Sequence, residues 1–158
     1  MLSQDEADFL LALNKKAQND NDVFDFPNLG ASLVFPVVSL DERESFLVDV
    51  NRSRMILSKC TFMGRYHSNI VLARLDISGP PHTNPNVAQP PADFSGFNGH
   101  QIPCPHLHLF VEGYDDKWAM PAPADTFNNT DNLHNTLDNF LSFFNVTEPP
   151  VINAGLPL

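Results

Sequence analysis

Between positions 32 and 77 the chain passes through strand-like segments joined only by short polar connections, and nothing in that span has the apolar spacing of a helix. Successive strands without a crossover helix must turn back on one another, which restricts the span to antiparallel pairing. Residues 32–40 are apolar, with Pro36 marking an edge or a bulge. A tight polar connection at 41–44 follows. Residues 45–50 alternate, with Phe46, Val48 and Val50 on one face and Leu47 and Asp49 on the other. Residues 59–66 and 69–77 supply the next two strands of a meander.

Helical patterns flank this region. Ser3 followed by Glu6 is a capping box, and Ala7, Phe9, Leu10, Leu13 and Ala17 form an apolar stripe, which predicts a helix over 3–18 with Lys15 and Lys16 in its last turns. A second helix is predicted from a cap at Thr130 or Asp131 to about Phe144, with Leu133, Leu137, Phe140, Leu141 and Phe144 on one face. Residues 119–123 read as extended, and the tail from Thr147, with Pro149, Pro150 and Pro157, as extended along the surface. The order predicts one α+β domain over 1–158, an antiparallel sheet packed by an N-terminal and a C-terminal helix. Residues 78–105 form a long loop holding seven of the 14 prolines, and loops of that length in a compact domain are usually functional or disordered. Phe94 and Phe97 argue for anchoring.

The formal charge of −10 argues against a general nucleic-acid binder, because neutralising phosphates is what drives such binding. It suits a basic protein partner or plain solubility. Positive charge concentrates in the meander, where Arg52, Arg54, Lys59, Arg65, Tyr66 and His67 could form a modest anion-binding surface, with ion pairs on a solvated sheet face as the ordinary alternative. No leader-like start and no apolar run near the length of a membrane span is visible, and two cysteines, Cys60 and Cys104, make no disulfide framework. The expectation is a cytoplasmic protein that does not enter a membrane.

The densest chemistry lies in residues 103–118. Strand alternation there places Leu107, Leu109 and Val111 on one face, and Cys104, His106, His108, Phe110 and Glu112 on the other. Two histidines one residue apart project from the same side of a strand, within reach of one ion. With Glu112 they have the composition of a two-histidine, one-carboxylate site for a single divalent metal, provided a bend at Gly113 brings the glutamate round. His82, His100 or Cys104 could add a ligand. The same histidines suit acid–base catalysis, with Glu112 as orienter and Arg65 or Lys117 as phosphate clamp. Tyr114 and Trp118 complete the set of binding candidates, although their ordinary role is as core or loop anchors. Histidines in strands also commonly serve only as hydrogen-bonding structure.

The run from Gly99 through His106-Leu107-His108 to Glu112 resembles the first cupin motif, with one residue too many before the first histidine and Ala119 in place of the closing glycine. No second cupin motif follows, so a cupin barrel is excluded. A broader resemblance is to a family of small uncharacterised bacterial and prophage proteins. It is carried by IPCPHLHLFVEGYDDKWA from Ile102, by a strand ending near Leu75-Asp76-Ile77, by Pro81-His82 and by the start MLSQDEADFLL. That resemblance implies a bacterial or phage accessory protein and no particular activity.

Two functions fit these readings. The first is an acidic regulator, an inhibitor or antitoxin-like protein that binds a basic protein partner, since acidic surfaces can imitate nucleic acid. The second is a hydrolase acting on a phosphoester or nucleotide through the His106, His108 and Glu112 face.

Overall fold

The computed structural model describes residues 1–154. Its elements are α1 (Gln4–Ala12), β1 (Lys15–Ala17), β2 (Val23–Asp25), β3 (Ser32–Ser39), β4 (Ser45–Arg52), β5 (Cys60–Tyr66), β6 (Ile70–Asp76), β7 (His82–Thr83), β8 (Gln101–Ile102), β9 (His106–Val111), β10 (Asp115–Pro121), α2 (Leu133–Phe143), β11 (Val146–Glu148) and β12 (Val151–Asn153). Eight strands form one sheet in the order β10-β9-β6-β5-β4-β3-β1-β11. All its pairings are antiparallel except that of β1 with β11. The fold is therefore α+β, and β3 to β6 make the expected meander.

Alternation explains the core. Phe46, Val48 and Val50 of β4 are all buried, opposite Tyr66, Gly64 and Phe62 of β5. Over them lies α2, whose Phe140 stacks on Phe62 and whose C-cap residue Phe144 meets Phe46 edge-on. Phe144 comes so close to the sheet that a Cβ on Gly64 would lie 2.5 Å from its ring, so β5 carries glycine there because a side chain would displace the helix. Ala7 and Leu10 of α1 join the same cluster of buried residues.

The N-terminal helix is shorter than the 3–18 expected. Its capping box is present, with Ser3 Oγ accepting from Glu6 and Glu6 reaching back to the Ser3 amide. The helix nevertheless stops at Ala12, and Lys15 enters the sheet between Ser39 and Val146. Pairing on both sides outweighs the modest propensity of two lysines for a helix. The Lys15 side chain is fully buried. Its ammonium donates to the carbonyls of Leu11 (3.0 Å), Leu13 (2.8 Å) and Phe144 (2.9 Å) and sits over the rings of Phe46 and Phe144. One cation thus satisfies orphan carbonyls at the ends of both helices.

Other departures have local causes. The cap of α2 is Asn132, whose side chain accepts from Asn135, rather than Thr130 or Asp131. Strand β10 begins earlier than the extended 119–123, because a register shift between Asp115 and Trp118 hides its alternation. Part of the tail does not run free: β11 pairs with β1, and β12 pairs with β2. Pro157 lies outside the described residues. No helix among the described residues is long and apolar enough to cross a membrane.

Burial pushes the Lys15 ammonium down to about 7 from its ordinary 10.5. A depressed lysine costs stability while it is protonated in the fold, and that cost is relieved as pH rises from about 7 toward 10.5. Chemical denaturation of wild type should show stability increasing between pH 7 and 9. Lys15→Met, which strands the Leu13 and Phe144 carbonyls while Leu11 keeps its bond from Asn145, should lose about 1–3 kcal/mol and lack this increment, so that the gap between the two proteins widens with pH.

Candidate functional site

Sheet register builds the site. Pairing of β4, β5, β6 and β9 sets Asn51, Thr61, Asp76 and His106 in one cross-strand row and Asp49, Met63, Arg74 and His108 in the next. Directly opposed residues share a face, so β6 contributes Arg74 and Asp76 beside the two histidines of β9. His106 is 2 % exposed and His108 not at all, whereas the Asp76 carboxylate is 19 % exposed.

Each imidazole is fixed by its Nδ1. That of His106 lies 3.0 Å from the Ile102 carbonyl, and that of His108 lies 2.8 Å from the Asp116 carbonyl. A carbonyl only accepts, so each Nδ1 carries the hydrogen and donates it. Both Nε2 atoms then turn to one oxygen, Asp76 Oδ2, at 3.1 Å from His106 and 3.3 Å from His108. On neutral rings those are two lone pairs facing an anion. The arrangement requires a cation among them: a proton, a guanidinium or a metal ion. Burial raises the Asp76 carboxyl, but hydrogen bonds from His106 and His108 when those rings carry a second proton, together with the charge of Arg74, outweigh it and hold the group well below the usual carboxylate range.

Arg74 already reaches this point. One terminal nitrogen is 2.9 Å from His108 Nε2 and 3.3 Å from Asp76 Oδ2. The other donates to Asp116 Oδ2 at 2.7 Å, and Nε is buried without a partner. Thr61 donates to the second Asp76 oxygen at 3.1 Å. Beside the cluster opens a polar pocket of about 350 Å³, lined by Asn51, Lys59, Thr61, Arg74, Asp76, Ser78, Pro80 and Cys104.

The three ligand atoms of Asp76, His106 and His108 lie within 4.8 Å of one another. Atoms each about 2.1 Å from a shared ion stand roughly 3.0–3.4 Å apart at octahedral or tetrahedral angles, which the two nitrogen–oxygen contacts match. Histidine ligands typically donate their second ring N–H to a carbonyl or carboxylate, as both do here. The cluster therefore has the donor set for a single divalent ion, and of its three residues Asp76 also lines the pocket.

The carboxylate beside the histidines is Asp76, and Glu112 lies elsewhere. Glu112 and Gly113 are the central residues of the β9–β10 turn, closed by Tyr114 N–H donating to Val111, with Gly113 at φ +83°. That turn aims Glu112 at α1, where its carboxylate accepts from the Gln4 amide at 3.3 Å and its own amide donates to the Gln4 side chain. It caps a helix instead of bending back to the strand.

Arg65 is no free clamp either: its guanidinium is held in a two-pronged pair by Asp49, at 2.8 and 2.9 Å. Lys117 is exposed, and its carbonyl rather than its ammonium serves the site, accepting from His82 Nε2 at 2.7 Å. His82 stands edge-on to His108, with ring centres 4.6 Å apart, and burial is the main influence lowering its pKa. His100 is exposed on the loop and outside the cluster. Tyr114 and Trp118 anchor, with Phe94 and Val111, a second buried cluster. Cys104 Sγ is 3.6 Å from His106 Nδ1, on the side of the ring away from Asp76, and lines the pocket. Asp76, Arg74 and Thr61 carried no local signal as site residues, because only long-range register brings them here.

The long loop straddles the outer strand. His82 lies against the histidines, Phe94 packs on Trp118, and Asn84 sits between them on the edge of β10. The buried Asn84 amide pairs with Ala119 as a strand would, accepting from its N–H and donating to its carbonyl, both at 2.8 Å.

The chain belongs to a family of unknown function, DUF6978, whose profile matches residues 2–146. It matches no curated protein and no solved structure.

Asn84→Ala removes both partners of a buried main-chain unit, each worth about 1–3 kcal/mol when left unpaired. The variant should unfold at lower denaturant concentration, and hydrogen exchange at the Ala119 amide should accelerate far more than at the Leu75 amide in the sheet interior. Equal acceleration at both would show that the loop does not clamp the edge.

Proposed function

We propose that this protein is a hydrolase acting on a phosphoester or nucleotide through one divalent metal ion held by Asp76, His106 and His108. The observation that carries the reading is the convergence of two Nε2 lone pairs on one carboxylate oxygen, each ring fixed from behind by a main-chain carbonyl. Three protein donors leave coordination positions for water and substrate, the arrangement of a catalytic rather than a structural ion. An ion held by Asp76, His106 and His108 would supply Lewis-acid chemistry and an activated water for attack on phosphorus, and Lys59 and Arg74 would hold the anionic substrate in the adjoining pocket.

The pocket supports the substrate class. Lys59 and Arg74 line it in a chain that is otherwise strongly acidic, and Thr61, Ser78 and Asn51 add neutral hydrogen-bonding groups. Such a lining suits an anionic oxygen cluster. The alternative of an acidic regulator bound to a basic protein rests on net charge alone, whereas the hydrolase reading rests on a fixed geometry.

Purified protein should contain, or take up in dialysis, about one equivalent of zinc, manganese or iron. His108→Ala should lose the ion while keeping the far-ultraviolet circular dichroism of the wild type. Hydrolysis of bis(p-nitrophenyl) phosphate should require the ion and stop with chelator. Protein that stays metal-free after dialysis against each metal would remove this reading.

A further inference from the structure

Resting on the metal reading, we infer that Arg74 is an internal counter-cation that closes the ion site until a metal displaces it, and that the displaced guanidinium binds the anionic substrate. The terminal nitrogen of Arg74 lies 2.9 Å from His108 Nε2 and 3.3 Å from Asp76 Oδ2. It donates into the same lone pair and to the same oxygen that a metal would need. Arginine does not lose its proton in proteins, so it cannot yield by neutralisation and has to move.

Two features make the movement available. Among the described residues one strong tether holds the guanidinium outside the ion site, the 2.7 Å bond to Asp116, and Nε has no partner there to lose. The side chain also already lines the pocket, together with Lys59. Two cations a bond length from a ligand set repel each other, so an arriving ion drives the guanidinium outward. There it meets phosphate oxygens in the bidentate geometry that its planar fork favours. Metal and anion binding are then coupled, each strengthening the other by the same factor.

The experiment measures dissociation constants for Zn²⁺ and Mn²⁺ by titration calorimetry, with and without inorganic phosphate. Wild type, Arg74→Gln and Asp116→Asn are compared. Removing the competitor should tighten metal binding about tenfold or more in Arg74→Gln, since apparent affinity scales with the fraction of open sites. Asp116→Asn loosens the tether while keeping the arginine and the main-chain carbonyl under His108, so it should tighten binding in the same direction. It serves as the readout should Arg74→Gln fail to fold. Phosphate should strengthen metal binding in wild type and have much less effect in Arg74→Gln. Metal binding that is unchanged or weaker in both folded variants overturns the counter-cation role and leaves the metal site standing. Absence of metal binding in all three proteins overturns the metal site itself.

Discussion

A single buried ammonium holds the two layers of this protein together. Lys15 lies in a strand between β3 and β11, yet its three hydrogen bonds reach the last carbonyls of α1 and the C-cap carbonyl of α2. Burying an unpaired charge would be prohibitive, and here both helix termini and two aromatic rings offset part of that cost, the remainder showing in the lowered pKa of the ammonium. The position of each helix therefore follows from that of the sheet. Through α1 the constraint reaches the far end of β9, because Gln4 bonds both Glu112 and the Phe110 carbonyl. Through α2 it sets Phe140 and Phe144 on the sheet beneath.

The buried histidine–aspartate cluster is built by a different principle. Its side chains come from adjacent strands, so hydrogen-bonded register alone fixes their spacing. Rigid strands suit groups that must converge within a few tenths of an ångström. What the backbone imposes is electrostatically unfinished: two ring nitrogens and a carboxylate oxygen are aimed at one point. Arg74 completes the balance in the chain by itself, and under the proposed function a metal ion would take its place.

Local patterns in the sequence were enough to read the meander, the capping box and the alternation that joins His106 to His108. They failed where a distant partner decides. Lys15 has helical neighbours, and only pairing with Ser39 and Val146 makes it a strand residue. Glu112 has the right spacing for a ligand, but the Gly113 turn removes it from the face. Asp76 takes its place from thirty residues upstream, opposite His106, and no window of sequence around either residue reveals that pairing. Arg65 looked like a free cation because Asp49 belongs to a neighbouring strand.

One loop performs two tasks along a strand, with His82 set against the buried histidines and Asn84 occupying the outer main-chain groups of Ala119. An exposed strand edge is a template for pairing with another chain. Lifting this loop away from the histidines would also uncover β10, joining exposure of the buried cluster to the risk of edge-to-edge self-association. While Asn84 keeps its place the edge stays sealed, so the shielding of the histidines and the solubility of the protein hang on the same short stretch of loop.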